Sequence, residues 1–517
     1  AKIIGEGGLL IPISAKQKAL DGISAVAPFL NIQSDISELD TGLETHECDP
    51  NLIINIQPTQ GGLAFTCVVM PFGESGPAFK PGIGNASLTT DIKGKRIATQ
   101  RDLQREETLL DQLDLACPAF LDMPDNVLLL DDLQIALAVL EQLEGAITNA
   151  NFNIVLRWPK GKKISLTKKL ESEHLQLSVG KKSEWFDITG DLHVNNEQVI
   201  ELRKLLELVK SSSGRFIKLD ADQILALSED LRHKLDQINQ LTDDGKFHPL
   251  ASLQIEEATT GMRMKTIHAW DQQTQKMHQA NTIEPQIPST FQAQLRDYQL
   301  VGFDWASRLA HWGAGACLAD DMGLGKTLQA LAVLLSRASQ GPSLVIAPTS
   351  VCFNWHQEAV KFTPTLNIKL FADSTNTEQR TDLLSELRPF DCVIISYGLL
   401  QRESDILKTV QWHTIVADEA QALKNPLTKR TKAAMALKGD FKMITTGTPI
   451  ENDLTELWSL FRFINPGLLG NLKRFGERFS TPIENAKDDK LAARKASQGL
   501  KALIQPFILR RMKNQVL

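Results

Sequence analysis

The sequence predicts an α/β fold in which residues 286–517 form a doubly wound parallel sheet, preceded by α+β accessory regions at residues 1–150 and 151–285. After residue 290, short apolar runs alternate with helical stretches, which is typical of buried parallel strands covered by helices on both faces. Residues 281–290 contain two prolines and no helical period, and this places the main boundary there. Ligands of such sheets bind at the carboxyl ends of the strands.

Each predicted strand of this sheet is a short apolar run. In chain order these runs are Ala316–Ala319, Leu344–Ala347, Ile368–Phe371, Val393–Ser396, Thr414–Ala417 and Lys442–Thr445. Helices are predicted between them, including Thr327–Ala338 and Val351–Phe362. In the accessory region, the apolar spacing also predicts a helix over Asp222–Leu241.

Composition and charge exclude some classes of protein. The 517 residues are 42% hydrophobic and 23% charged, which excludes a wholly disordered or fibrous chain. Residues 291–517 carry 28 Lys and Arg against 22 Asp and Glu, a net charge of +6. Residues 1–290 carry 28 against 40, a net charge of −12. The positive excess is either a footprint for a polyanion or an ordinary solvated surface.

The six cysteines are widely spaced and form no Cys-x-x-Cys pair. We therefore expect free thiols in a reducing compartment, with neither a zinc module nor a disulfide framework. No stretch of about 18 apolar residues lacks charge, so no membrane span is expected.

The most specific motif is the segment Ala319–Thr327, ADDMGLGKT, between a predicted strand and a predicted helix. Glycines here let backbone N–H groups turn toward a polyphosphate, and the helix N-terminus adds positive potential. Lys326 supplies a charge at the β- and γ-phosphates, and Thr327 offers a hydroxyl to Mg²⁺. Asp320 stands where the full phosphate-loop pattern has glycine. The alternative is a glycine-rich turn before a helix. The predicted nucleotide contacts in this loop are Asp321, Met322, Gly323, Leu324, Gly325, Lys326 and Thr327.

A second motif places two adjacent carboxylates, Asp418 and Glu419, at the end of the predicted strand Thr414–Ala417. Asp418 can hold Mg²⁺, and Glu419 can orient and deprotonate the water that attacks a γ-phosphate. The alternative is an acidic helix start, which the helix dipole favours in any case. The phosphate loop earlier in the same alternating pattern favours the catalytic interpretation.

Two further groups of residues complete the prediction. Arg296 and Gln299, at a helix start, are candidates for the nucleotide, since an amide can pair with both a donor and an acceptor on adenine. Loops after neighbouring strands carry hydroxyl, amide, aromatic and basic groups that could hold a phosphodiester backbone. These nucleic-acid candidates are Ser350, Trp355, Tyr397, Lys424, Asn425 and Thr448. Helix caps and core aromatic residues are the alternative for each of them.

With these motifs in order, residues 291–517 resemble the first RecA-like motor lobe of superfamily 2 helicases, and among these the Swi/Snf-type DNA-translocating ATPases. The residues that carry the resemblance are LRDYQ (295–299), DDMGLGKT (320–327), APTSVCFNW (347–355), DEAQ (418–421), KN (424–425), TGTPIEN (446–452) and FILRRMK (507–513). The resemblance implies ATP and Mg²⁺ as cofactors, with Lys326, Thr327, Asp418 and Glu419 in hydrolysis and Gln299 at adenine. It implies double-stranded DNA as the partner and a translocating or remodelling motor as the function.

Two other functions stay open: a strand-separating DNA or RNA helicase, and a nucleotide-gated protein-binding scaffold. The resemblance also implies a second lobe with arginines that stabilise the transferring phosphate, which we expect outside these 517 residues. Residues 1–285 resemble more loosely the amino-terminal region of large bacterial members. Three segments suggest this: GPAFKPG (76–82), Arg101–Leu103 with Glu106, and EWFD (184–187). A protein partner for residues 1–285 and a cytoplasmic, nucleoid-associated location in a bacterium are expectations.

Overall fold

The structure is a computed structural model, and it describes residues 12–15, 18–19, 21–22, 44–92, 94–121, 123–150, 153–195, 197–220, 222–447, 453–487 and 489–516. The chain divides into two compact units. Unit 1 comprises Ala1–Lys169 and Gly214–Leu227, and unit 2 comprises Leu170–Ser213 and Ser228–Leu517. The predicted boundaries near residues 150 and 285 stay predictions.

The strands of the described residues are numbered in chain order. They are β1 (Glu44–Thr45), β2 (Leu52–Pro58), β3 (Leu63–Val69), β4 (Ser87–Ile92), β5 (Lys95–Gln100), β6 (Val127–Leu130), β7 (Ile154–Arg157), β8 (Ser165–Leu166), β9 (Leu175–Lys182), β10 (Trp185–His193), β11 (Val199–Glu201), β12 (Phe216–Lys218), β13 (Gln223–Ala226), β14 (Lys246–Phe247), β15 (Arg263–Lys265), β16 (Ala316–Leu318), β17 (Ser343–Ala347), β18 (Asn367–Leu370), β19 (Asp391–Ser396), β20 (Gln411–Ala417), β21 (Lys438–Thr445) and β22 (Ile508–Leu509).

The α-helices of the described residues are Leu103–Ala116, Leu133–Ala150, Leu202–Ser211, Glu229–Leu241, Ser252–Ala258, His268–Thr282, Asp297–Trp312, Lys326–Arg337, Thr349–Phe362, Thr377–Ser385, Tyr397–Arg402, Ser404–Leu407, Lys429–Met435, Leu454–Ile464, Leu472–Phe475, Thr481–Glu484, Lys490–Ile504 and Lys513–Val516. A π-helical turn, Gly476–Ser480, lies between two of the short helices near the C-terminus.

Unit 1 is built on a four-stranded sheet in the order β6-β3-β2-β7. Strand β3 pairs antiparallel with β2 and with β6, while β7 runs parallel to β2. The inward residues of β3 alternate with partly exposed ones, as expected for a sheet with one covered face. Residues of helices Leu103–Ala116 and Leu133–Ala150 share one apolar core with this sheet.

A buried ion pair fixes a loop of unit 1. The Arg101 guanidinium lies 2.5 Å from the Glu106 carboxylate, and both side chains are almost wholly buried. Arg101 also donates to the carbonyls of Lys80 and Ile83, and Glu106 accepts from the Gly82 N–H. Two of the accessory segments singled out in the sequence, residues 76–82 and the Arg101 segment, therefore meet in one structural contact.

The accessory part of unit 2 holds a five-stranded sheet in the order β11-β10-β9-β15, with β14 pairing β10. Three buried aromatic side chains, Phe186, Phe247 and Trp270, pack edge-on or tilted with ring centroids 5.6 to 5.7 Å apart. The segment EWFD therefore places Phe186 in this core.

The predicted helix Asp222–Leu241 was wrong over its first part. Residues Gln223–Ala226 form strand β13, which pairs with β12, and the helix begins only at Glu229. Ser228 caps this helix, since its hydroxyl accepts from the Leu231 N–H over 3.1 Å. The apolar run Ile224-Leu225-Ala226 fits a buried strand as well as a helix, and a short run cannot separate the two.

The rest of unit 2 contains a seven-stranded sheet in the order β18-β19-β17-β20-β21-β16-β22. Every neighbouring pair in it is parallel, with the Cα register Leu344↔Ile415 between β17 and β20 as an example. The doubly wound parallel α/β fold is confirmed. All six predicted strands are present, and β22 is an added one at the edge.

All six cysteines are free thiols, as predicted from their spacing. Burial raises the pKa of Cys317 and of Cys392 to about 12, so both stay protonated at neutral pH. Among the helices of the described residues, none combines the length and the apolar character that crossing a membrane needs.

Candidate active site

The candidate site lies at the carboxyl edge of the seven-stranded sheet. The phosphate loop follows β16, Asp418 follows β20, and Thr446 and Gly447 follow β21, which lies between those two strands. The Thr446 N–H donates to the Leu318 carbonyl over 3.1 Å and ties two of these strand ends together. Since parallel strands end at one edge, the fold brings the predicted phosphate and carboxylate motifs to the same face.

The phosphate loop has the backbone conformation that its glycines allow. Gly323 and Gly325 have φ angles of 85° and 73°, a region that side chains with a Cβ rarely adopt. Helix Lys326–Arg337 begins directly after them, with its N-terminus at the loop. The Lys326 ammonium donates to the carbonyls of Asp320 and Asp321 over 2.8 and 3.3 Å. A bound phosphate would offer this ammonium a charged acceptor in place of two neutral ones.

Gln299 supports the loop from behind. Its amide nitrogen donates to the Leu324 carbonyl over 3.1 Å, and its amide oxygen accepts from the Arg296 N–H over 3.0 Å. A Cβ added at Gly325 would lie only 2.5 Å from this nitrogen, so the loop packs directly on the amide. One N–H and one lone pair of the amide remain for adenine. Gln299 is buried and Arg296 is exposed, so their predicted contacts to the nucleotide stay predictions.

Three donors hold the Asp418 carboxylate. Oδ1 accepts from the Thr445 hydroxyl and from the Glu419 N–H, and Oδ2 accepts from the Trp355 indole N–H over 2.7 Å. A carboxylate has about four lone-pair sites, so one remains for a metal ion or for a water molecule on that ion. This donor set fits Mg²⁺, with the partly exposed Thr327 hydroxyl as the second predicted ligand. When bound, Mg²⁺ would neutralise charge on the phosphates.

Glu419 has a strained backbone. Its φ of 48° and ψ of 54° are left-handed, and such a conformation costs a non-glycine residue roughly 1–3 kcal/mol. Strain of this kind persists where surrounding contacts fix it. The Gln421 amide donates to Oε2 of Glu419 over 2.8 Å, and Gln421 in turn lies 3.5 Å from the Thr446 hydroxyl. Half-buried and held in this way, Glu419 can accept a proton from a water beside the phosphate loop.

Two of the predicted nucleic-acid residues are instead core residues of this site. Trp355 is 1% exposed and Tyr397 is 4% exposed. The Tyr397 hydroxyl donates to the Asp418 carbonyl over 2.8 Å, and burial raises the pKa of Tyr397 well above its usual value. Neither side chain can touch a polymer as it stands. Both side chains instead hydrogen-bond to Asp418. The prediction that Trp355 and Tyr397 contact DNA directly is corrected accordingly.

The other predicted nucleic-acid residues differ in exposure. Lys424 is buried, with its ammonium 3.1 Å from the Glu456 carboxylate, so it too is not placed to meet a duplex directly. Ser350, in the first turn of helix Thr349–Phe362, and Asn425, on a loop after β20, are both exposed at the carboxyl edge. Thr448 lies outside the described residues.

Three residues of the site carried no assignment in the sequence analysis. Thr445 and Gln421 hold the two carboxylates, and Arg511 lies against Asp320. Gln421 is the last residue of the motif DEAQ and Thr445 directly precedes the motif TGTPIEN, and these positions are the one signal that could have indicated them. Arg511 belongs to the segment FILRRMK, 185 residues beyond Lys326, and nothing in spacing connects the two.

Comparison with known proteins agrees with this geometry. The family described as the SNF2-related domain matches residues 298–517, a range that contains the phosphate loop and both carboxylates. Residues 298–517 are similar to this domain throughout the matched range. The sheet edge within that range carries the phosphate loop, the two carboxylates and the exposed residues described above.

Similar proteins resemble this part of the sequence over nearly half of the chain. YwqA of Bacillus subtilis, which carries the name of an ATP-dependent helicase/translocase, is 43% identical over 237 residues, 45% of this chain and 25% of YwqA. The TATA-binding protein-associated factor mot1 of Schizosaccharomyces pombe is 34% identical, covering 45% of this chain and 13% of mot1. The human chromatin-remodeling ATPase INO80 is 36% identical, covering 44% and 16%. The chain thus spans a quarter or less of the length of these relatives.

A solved structure, the Sulfolobus solfataricus SWI2/SNF2 ATPase core in complex with dsDNA, is 45% identical and covers 45% of this chain and 47% of that one, with a TM-score of 0.39.

Proposed function

We propose that this chain is part of an ATP-dependent motor that translocates along double-stranded DNA. The observation that carries the proposal is the meeting of the phosphate loop, Asp418 and Glu419 at one sheet edge of a region similar to the SNF2-related domain. Lys326 and the loop amides would bind the phosphates, Asp418 and Thr327 would hold Mg²⁺, and Glu419 would take the proton of the attacking water.

The same edge offers a surface for the duplex. Ser350 lies in the first turn of the helix that follows β17, Asn425 lies on a loop after β20, and residues 291–517 carry the +6 net charge. Hydroxyl, amide and cationic groups bind phosphates without reading bases, so sequence specificity should be low and salt dependence steep. A protein partner for residues 1–285 and a nucleoid location stay predictions.

ATP turnover by the full-length protein tests the proposal with duplex DNA, single-stranded DNA and RNA as activators. We expect duplex DNA to stimulate most, and Lys326→Ala to remove the stimulated turnover. Displacement of a third strand from a triplex would report movement along the duplex. Separation of forked duplexes would favour a helicase instead. Equal turnover with and without any nucleic acid would favour a protein-binding scaffold and contradict the proposal.

Asn425→Ala tests the DNA surface. It should weaken duplex binding by a similar factor for unrelated sequences, since a backbone contact carries no sequence information. Asn485→Ala, an exposed asparagine near the C-terminal helices, is the matched control and should bind DNA normally. Crosslinks that map chiefly to residues 1–290 would contradict the proposed surface.

A further inference from the structure

The C-terminal segment of the described chain lies along the phosphate loop. Strand β22 pairs with β16, with Leu318 opposite Leu509. Beyond the strands the Ala319 N–H donates to the Leu509 carbonyl over 2.7 Å, and the Asp321 N–H donates to the Arg511 carbonyl over 3.0 Å. Further on, the Lys513 N–H donates to Asp321 Oδ2 over 3.1 Å. The segment thus contacts both aspartates that precede the glycines of the loop.

Arg511 makes the most extensive contact of this segment. Its Nε and Nη2 lie 3.0 and 2.5 Å from the two carboxylate oxygens of Asp320, and its own backbone N–H donates to the same carboxylate over 3.1 Å. Nη2 also donates to Gln329 Oε1 over 3.0 Å, and Nη1 donates to the Tyr298 carbonyl. One guanidinium therefore joins the start of the loop to the helices on either side of it.

The ion pair is buried. Asp320 is wholly inaccessible and the Arg511 side chain is 12% exposed. A buried carboxylate is tolerated only when it is paired and hydrogen-bonded. Arg511 meets this need with a bidentate contact, the strongest form of such a pair. Asp320, which departs from the glycine of the full phosphate-loop pattern, is thereby explained as the partner of Arg511.

The surroundings of Gly302 show how closely its helix packs against Gln329 and Arg511. A Cβ added there would lie 2.0 Å from Gln329 Oε1 and 3.0 Å from Arg511 Nη2. Tyr298, one turn earlier on the same helix, donates its hydroxyl to the Leu324 carbonyl within the loop over 3.2 Å. The guanidinium also lies over the Tyr298 ring at 5.3 Å. Arg511 thus reaches the loop both directly through Asp320 and through Tyr298.

We propose that Arg511 is a positioning residue for the phosphate loop, and that it makes nucleotide affinity depend on whether segment 510–516 lies on the loop. The proposal rests on the proposed ATP-binding function and adds to it a coupling between two parts of the lobe. The segment and the nucleotide then influence each other by the same factor, since coupling between two sites is reciprocal. A force or partner that lifts the segment would weaken Mg-ATP binding, and bound Mg-ATP would hold the segment down.

Equilibrium binding of a fluorescent ATP analogue with Mg²⁺ tests this on the full-length protein. Arg511→Ala should weaken binding by about tenfold or more, within the usual range of coupling between sites. Arg511→Lys keeps the charge but cannot span Asp320, Gln329 and Tyr298 together, so an intermediate loss is expected. Arg510→Ala is the matched control, because Arg510 is the exposed neighbour of the same type, and it should bind within about twofold of the wild type.

Two further measurements separate positioning from simple loss of stability. In the double variant Asp320→Asn/Arg511→Gln no buried charge is left unpaired, so the fold should recover while nucleotide binding stays weak. Amide hydrogen exchange at residues 511–513 should slow when Mg-ATP binds the wild type, and should not respond in Arg511→Ala. A folded Arg511 variant with normal binding, or unchanged exchange in the wild type, would overturn the proposal.

Lys326→Ala distinguishes this failure from failure of the proposed function. If Lys326→Ala abolishes analogue binding while Arg511→Ala binds normally, the site is a nucleotide site and Arg511 does not position it. If Lys326→Ala leaves binding unchanged, the proposed ATP site itself is wrong.

Discussion

The indole N–H of Trp355 donates a hydrogen bond to Oδ2 of Asp418 over 2.7 Å, in a pocket where the tryptophan is almost wholly buried. Trp355 lies on the helix that follows β17, and Asp418 lies at the end of the adjacent strand β20. The same helix carries Ser350, which is predicted to contact DNA. One hydrogen bond therefore connects this helix to the predicted Mg²⁺ carboxylate.

Trp355→Phe removes this donor and keeps an aromatic ring in the pocket. We expect turnover to fall by about tenfold and the Mg²⁺ concentration for half-maximal turnover to rise, since partners behind a metal ligand typically contribute 10- to 100-fold. Trp412→Phe is the matched control: Trp412 is equally buried, but its N–H donates to the Leu407 carbonyl away from the site. Equal Mg²⁺ dependence in both variants would contradict a role for Trp355 behind Asp418.

Glu419→Gln should keep ATP binding and lower turnover by at least about a hundredfold, because the amide cannot accept the proton of the attacking water. Binding is measured with the fluorescent analogue and turnover by phosphate release. Glu386→Gln, an exposed glutamate near the amino end of β19, should leave both unchanged. Near-normal turnover by the Glu419 variant would remove this residue from the mechanism.

Arg101→Leu should destabilise unit 1 by about 3–5 kcal/mol, because it leaves the buried Glu106 carboxylate without its cation. Hydrogen exchange at β2 and β3 measures the effect within this unit. Arg105→Leu, at an exposed position of the helix that carries Glu106, should change hydrogen exchange little. A similar loss in the two variants would show that the ion pair is not what stabilises the loop.

We expect the buried residue His248 to make the folded protein less stable in mild acid. Burial lowers the pKa of His248 to about 4, and its ring is hydrogen-bonded to the backbone of Leu250 and of Pro466. The unfolded chain, with a pKa near 6.5, therefore binds more protons than the folded one as the pH falls below 6.5. The contribution of neutral His248 to the free energy of unfolding is complete above pH 6.5. It decreases as the pH falls to about 4, and about 2 kcal/mol of it is lost between pH 7 and pH 5.

Urea unfolding at pH 7 and pH 5 measures this contribution. His248→Gln should show a smaller difference between the two pH values than the wild type does. His268→Gln, at an exposed histidine, should keep the wild-type difference. An unchanged difference in the His248 variant would mean that other groups cause the acid sensitivity.

The parallel sheet could be predicted because its central strands β17, β19 and β20 contain continuous apolar runs and helical stretches lie between the strands. The seventh strand, β22, could not, since the two residues Ile508 and Leu509 show no period. The phosphate loop was predictable because its chemistry is local in sequence. The partner of Asp320 was not, since Arg511 is distant along the chain.

Whether a side chain is exposed or buried was the other feature that the sequence could not predict. A tryptophan or tyrosine after a strand suits a stacking surface and a core equally well, and sequence alone does not tell which way the ring points. The structure places Trp355 and Tyr397 against Asp418, where their polar tips have partners. The same limit applies to Lys424. Its charge favours an exposed side chain, but the structure buries it beside the Glu456 carboxylate.

The edge strand β22 also decides where this lobe can be cut for laboratory work. A fragment that stopped before Gln505 would leave the buried strand Ala316–Leu318 with an open row of backbone N–H and C=O groups on one side. Open, apolar strand edges recruit other chains. Fragments trimmed to the apparent end of helix Lys490–Ile504 should therefore aggregate on expression, and fragments that extend through Met512 should stay monodisperse.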